Sequence, residues 1–166
     1  MARPPLYADL LGRTPPLDAL AETPARIARL VRGWRAVRWR AASAPGKWSA
    51  AQIVLHLAHD EVAWSNRIRF LLSNRDFVIQ PFDGGDWVAR ESPAHGPSAL
   101  AAFAALRRLD LRLYRAITPR VAKRPVPHPE FGTISIAWIL ATLAGHDRHH
   151  LVQLRAIAAA TAGRLR

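Results

Sequence analysis

The chain has 166 residues, half of them hydrophobic, and no cysteine. It is long enough to bury a core of its own, while disulfides, thiolate metal ligands and a cysteine nucleophile are excluded. The net charge of +12 comes from 22 arginines and 2 lysines spread from Arg3 to Arg166, a pattern that reads as a solvated surface and not as a dedicated nucleic-acid face.

No apolar run reaches the roughly 18–20 residues that cross a bilayer, and the opening from Met1 to Asp9 lacks the pattern of a secretory leader. The expectation is one soluble, cytoplasmic domain over residues 1–166 with no membrane association. In chain order, the first helical signal runs from about Thr23 to Gly33, with Thr23 as N-cap, Pro24 at the first helical position and Ile27, Leu30 and Val31 at helical spacing. Residues 34–47 are ambiguous until Ala44-Pro-Gly-Lys47, a turn signal. Ser49 with Gln52 three residues on has the capping-box pattern of a long second helix, whose stripe is Ile53, Leu57, Trp64, Ile68 and Leu71 and whose stop is Asn74. The connection over 75–97, rich in Pro and Gly, is longer than a bundle requires; it either lines a site or is an ordered crossover.

Ser98 is the expected cap of a third helix carrying Leu100, Phe103, Leu106, Leu109, Leu113 and Ile117 and ending before Pro119. Pro125 to Gly132 reads as a second irregular crossover, and a fourth helix runs from Ser135 to about Thr161. No segment alternates long enough to require a strand. The expected fold is all-α, a four-helix bundle with long crossover connections.

The last helix holds the most informative pattern. Ile139, Leu143, His146, His150, Gln153 and Ile157 follow one another in steps of four and three, so two histidines interrupt an apolar seam. His56 lies mid-helix in the second amphipathic segment, and three neutral imidazoles from two helices make a facial metal site with open positions. His59 could replace His56 or lie behind it. His149 is turned about 100° from His150 and points away from the seam. Asp60 and Asp147 are candidate acceptors for the imidazole N–H groups. Glu61, five positions after His56, does not share its face, and the His-Glu-x-x-His pattern is absent. Three imidazoles suit Zn²⁺ with one open site or Ni²⁺ or Fe²⁺ with several, and no residue pattern identifies a catalytic acid or base.

Four stretches extend this reading: Thr23-Pro-Ala-Arg-Ile27 through to Gly33; Ala44-Pro-Gly-Lys-Trp-Ser49 with His56-Leu57 and Glu61; Phe82-Asp-Gly-Gly-Asp-Trp87; and His128-Pro-Glu-Phe-Gly-Thr133 leading to His146-Asp-Arg-His-His150 and Gln153. Together they resemble the DinB-like, or damage-inducible, superfamily of metal-binding four-helix bundles, a group also described with the YfiT-like metal-dependent hydrolases. The resemblance covers residues 20–160. It implies that His56, His146 and His150 hold the metal, that the ion is Zn, Ni or Fe, and that the protein is a homodimer. Some members are similar to thiol transferases that join a low-molecular-weight thiol to an electrophile.

Three functions follow as expectations. The first is a metal-dependent enzyme acting on a small molecule, either a small-thiol S-transferase or a hydrolase. The second is a non-catalytic metal-binding or stress-associated protein, consistent with the missing acid/base pattern. The third is nucleic-acid binding through Arg26, Arg29, Arg32, Arg35 and Arg38; residues three apart drift by about 60° per step, so these spiral around a helix and form no stripe.

Overall fold

The computed structural model describes residues 4–74 and 76–162. Arg3 and Arg166, the ends of the arginine distribution, lie outside the described residues, as does Arg75 at the start of the 75–97 connection.

The first helix, α1 (Pro16–Leu30), begins two turns before the expected Thr23 cap. Thr23 is buried inside it and its hydroxyl donates to Ala19 O at 2.9 Å. Pro24 is therefore an interior proline, which lacks the N–H that Leu20 O would receive. Arg107 supplies the missing donor, its Nη1 reaching Leu20 O at 2.9 Å. A tertiary contact thus permits a residue that local propensity places at a helix start. Val31 closes α1, and Gly33 adopts a left-handed φ of 73° that turns the chain toward the short α2 (Ala36–Trp39).

The Ala44–Lys47 turn ends at Ser49, which caps α3 (Ala50–Ser73) with the expected capping box: Gln52 N donates to the Ser49 hydroxyl at 3.3 Å and Ser49 N to Gln52 Oε1 at 2.9 Å. The long connection after Asn74 contains a further helix, α4 (Gly84–Arg90), capped by Asp83, and so is an ordered crossover. Helix α5 spans Gly96–Ala116. Its N-cap is His95, whose Nδ1 accepts from Ser98 N, so the cap lies three residues ahead of the expected Ser98. Its buried side is Ala99, Phe103, Arg107, Asp110, Leu111 and Tyr114, whereas Leu109 is 57% exposed.

After the single-turn α6 (Pro119–Ala122), the expected irregular crossover contains a hairpin of β1 (Val126–His128) and β2 (Gly132–Ile134), with Val126 opposite Ile134. Three-residue strands are too short for an alternation signal, which is why the sequence does not announce them. Ser135 caps α7 (Ile136–Thr161) as expected.

The bundle helices are α1, α3, α5 and α7. Helix α1 packs between α5 and α7, and α3 packs against the other side of both. Their interior is divided. One apolar cluster includes Leu20, Ile68, Tyr114, Ile139 and Leu143; the other includes Ile27, Val54, Leu57, Phe103, Leu151 and Leu154. Between them, on α3, α5 and α7, lie buried Asp60, Glu61, Arg107, Asp110, Asp147 and His150. The bundle thus carries a polar layer across its middle.

Candidate metal centre

His56 on α3 and His146 and His150 on α7 meet in that layer. His146 Nε2 lies 3.2 Å from His56 Nε2 and 2.9 Å from His150 Nε2, and the three residues offer ligand atoms within 4.8 Å of one another. The i,i+4 spacing brings the α7 pair together, and the lateral packing of α3 on α7 brings the third ring to them.

Hydrogen bonding alone does not satisfy this arrangement. Each imidazole nitrogen has one in-plane site, either an N–H or a lone pair, so His146 Nε2 can serve only one of its two close neighbours. A cation placed between the rings serves all three lone pairs. Metal–nitrogen bonds of about 2.1 Å put two ligating nitrogens roughly 3.0 Å apart at a right angle and roughly 3.4 Å apart at the tetrahedral angle. The observed 2.9 and 3.2 Å lie near this range.

The rings are held neutral, the state in which imidazole binds metal. Burial, reinforced by the charge of His150 and His59, lowers His56 to about 3. Burial lowers His150 to about 4 against the opposing hydrogen bond of Gln153. Burial and the two partner rings push His146 well below the usual histidine value. His150 Nδ1 lies 2.9 Å from Gln153 Oε1, and Gln153 Nε2 lies 3.0 Å from His149 Nε2. In this amide orientation the N–H of His150 sits on Nδ1 and its Nε2 lone pair faces the other rings.

The surroundings fix the rings and leave one side open. Trp48 lies over His56 with ring centroids 4.8 Å apart, and near-parallel to His150 at 6.4 Å. On the other side Tyr7 lies 5.8 Å from the His146 ring and stacks on His149 at 4.9 Å. Tyr7 takes a left-handed backbone conformation, φ 57°, uncommon for a large side chain. It fits because Gly145 has no Cβ: one placed there would lie 2.6 Å from Tyr7 O. Gly84, the first residue of α4, serves His56 in the same way, since a Cβ would lie 2.8 Å from the ring. The His146 side chain remains 17% exposed, which gives solvent access to the cluster.

The remaining expected residues separate. Asp60 does approach the site: its Oδ2 is 3.0 Å from His146 Nδ1, out of line for a full hydrogen bond, and 3.8 Å from His56 Nε2. Burial, with Asp147 and Glu61 nearby, pushes its carboxyl up to about 8. His59 stays outside the cluster, edge-on to Trp87 with Nε2 3.1 Å from Glu91 Oε1. His149 is half-buried, stacked by Tyr7, with its Nε2 3.0 Å from Gln153 Nε2. Asp147 turns from the histidines to Arg107, whose Nη1 donates to its Oδ2 at 2.6 Å.

Arg107 and its partners are what sequence reasoning missed. Arg107 Nε donates to Glu61 Oε2 at 2.8 Å, and Tyr114 OH donates to Glu61 Oε1 at 3.3 Å; both ion-pair carboxylates are almost wholly buried. Burial, only partly offset by Arg107, pushes the Glu61 carboxyl up to about 7. For Arg107 the same burial is outweighed by Asp147 and Glu61, and its pKa rises. The two directions oppose. A guanidinium that keeps its proton, 2.7–2.8 Å from Glu61 Oε2, decides for ionised Glu61. A signal existed: Ala99, Phe103, Arg107, Asp110 and Tyr114 form one helical stripe in steps of four and three.

Two of the five arginines considered for nucleic acid are engaged within the fold. Arg26 pairs with Glu22 at 2.6 Å, and Arg38 donates to Thr161 Oγ1 and Ala158 O while lying over Trp34. A cavity of about 310 Å³ adjoins the cluster through Trp48 and Gln153. A larger one, about 610 Å³, is lined by Leu71, Phe77 and Val126. Leu71 is 15 residues along α3 from His56, roughly 22 Å at 1.5 Å per residue, so that cavity is remote from the rings.

Comparisons with known proteins give the family and the fold. The model of the DinB superfamily matches residues 19–154. The Oceanobacillus iheyensis protein named "Putative metal-dependent hydrolase OB0782" is 29% identical over 114 residues, covering 68% of this chain and 66% of that protein. This match therefore spans slightly less than two thirds of the relative. The Bacillus subtilis protein named "Putative metal-dependent hydrolase YfiT" is 26% identical over 141 residues, covering 83% and 79%. The solved structure of YfiT, described as a probable metal-dependent hydrolase with an unusual four-helix bundle topology, superposes with a TM-score of 0.81 at 23% identity, covering 89% of this chain and 86% of that one.

Proposed function

This chain belongs to the DinB superfamily, and we propose from that premise that His56, His146 and His150 hold one divalent ion, Zn, Ni or Fe, at the centre of a metal-dependent enzyme acting on a small molecule. The observation that carries this is the pair of Nε2 contacts on His146, which hydrogen bonding cannot satisfy together. Such an ion supplies Lewis acidity toward a water molecule or thiol at an open coordination position.

The chain's own residues do the rest. Gln153 holds the proton of His150 on Nδ1, and Trp48, Tyr7 and Gly84 fix the ring planes. Asp60 keeps a carboxyl beside His146 Nδ1, and burial raises its affinity for a proton while the ion is absent. The names of the relatives favour hydrolysis. Transfer of a small thiol is the variant, for which the ion would supply Lewis acidity toward the thiol; Lys47 lines the adjoining cavity and no arginine does.

Exposed Val62 and Phe70 on α3 and Leu109 on α5 support a homodimer, testable by light scattering. No helix among the described residues is long and apolar enough to cross a membrane, and we place the activity in the cytoplasm. The test of the function is metal analysis of the purified protein and of a His56/His146/His150 triple-alanine variant, followed by an ester, amide and thiol-plus-electrophile panel. The expected result is about one ion per chain, lost with turnover in the variant. Turnover retained without the ion contradicts the proposal.

A further inference from the structure

The 310 Å³ cavity is lined by Ser43, Gly46, Lys47, Trp48, Ile53 and Gln153. Its volume falls at the low end of the range for small-molecule sites, about 300–1,000 Å³, and is far too small for a polymer. Two of its walls are shared with the histidine cluster. Trp48 packs over His56 and His150, and Gln153 contacts His150 and His149.

The turn that supplies the rest is held at both ends. Ala42 and Ser49 form a β-bridge, Ala50 N donates to Ala41 O at 3.0 Å, and Lys47 N donates to Ala44 O at 3.2 Å. Gly46 takes a φ of 74°, which sets the direction in which Lys47 and Trp48 leave the turn. Lys47 is the one charged residue of the lining, no carboxylate faces it there, and it makes no ion pair in the described structure. A lining that combines one ammonium, an indole and two neutral polar side chains matches an organic anion with a flat body. The overall charge of +12 also favours approach of anions.

We propose that this cavity is the recognition half of the site and takes a small organic anion, its charged end on the Lys47 ammonium and its flat apolar body on the Trp48 indole. Calling that anion a substrate rests on the metal-centre reading above; its binding does not.

The test uses benzoate as probe, with benzyl alcohol supplying the body without the charge and acetate the charge without the body. Binding is followed on the Trp48 indole N–H resonance of the full-length protein in the presence of a chelator. Benzoate is expected to bind more tightly than either control. Lys47→Ala should weaken benzoate about tenfold, the scale of one charge-assisted hydrogen bond, leave benzyl alcohol unchanged, and be rescued by Lys47→Arg. Equal benzoate affinity in Lys47→Ala and wild type, benzyl alcohol binding as tightly as benzoate, or no perturbation of Trp48 by any probe overturns the proposal. Because the ion is removed throughout, a failure of the three-histidine centre, seen as metal retained by the triple-alanine variant, leaves this result standing.

Discussion

His146 is the residue on which the site turns, because its Nε2 is the atom shared by both short imidazole contacts. His146→Ala is expected to remove bound metal to near background by mass spectrometry while far-UV circular dichroism remains helical. Gln153 acts one bond further out. Gln153→Ala frees the His150 Nδ1–H and should weaken metal affinity about 10–100-fold, the range for loss of an orienting partner, measured by competition with a chromogenic chelator. The titrating groups also predict a pH profile for the metal-free protein. Imidazoles lowered to about 3 and 4 in the folded state, against about 6.5 unfolded, bind more protons when unfolded, so stability falls as pH drops below 6.5. Asp60 works in the opposite sense. Raised to about 8, it binds its proton more tightly when folded, so stability falls as pH rises toward 8, by about 2 kcal/mol from pH 6.5. Urea midpoints should therefore peak near pH 6.5; a monotonic profile from pH 5 to 8 would refute this balance.

At the scale of elements, two glycines allow neighbouring segments to hold the rings. Gly84→Ala forces α4 against His56, whose ring is hemmed by Trp48 and its two partners. The substitution should cost about 1–3 kcal/mol in urea unfolding and lower metal affinity together with stability. Unchanged affinity would show that α4 does not fix the ring. Much at this scale is legible in the sequence. The Ser49 capping box, the Asn74 stop and the Ser135 cap all stand where local chemistry puts them. Where the sequence misleads, a distant partner intervenes: Pro24 sits inside α1 because Arg107 donates to the carbonyl it leaves unpaired, and the Val126–Ile134 hairpin is too short to show its period. The histidine cluster was readable because its spacing breaks an apolar seam. Asp147 was misread because it follows His146 directly, and adjacency in a helix separates side chains by about 100°.

For the molecule as a whole, the polar layer between the two apolar clusters ties the bundle together. Arg107 on α5 reaches α1 through Leu20 O, α3 through Glu61 and α7 through Asp147. Arg107→Met leaves two buried carboxylates without their cation and should cost about 3–5 kcal/mol. Adding Glu61→Gln and Asp147→Asn should recover part of that loss, because no uncompensated charge then remains. In the intact layer four buried carboxylates, Asp60, Glu61, Asp110 and Asp147, face three arginines, Arg67, Arg69 and Arg107, so a cation at the histidines offsets the remaining negative charge when all four are ionised. The most direct measurement is anomalous diffraction from crystals of the purified protein, collected across the absorption edge of the metal found in it. One peak within about 2.0–2.3 Å of the Nε2 atoms of His56, His146 and His150 is the predicted result. A stoichiometric ion located elsewhere, with the three rings in mutual contact and no peak between them, would contradict it.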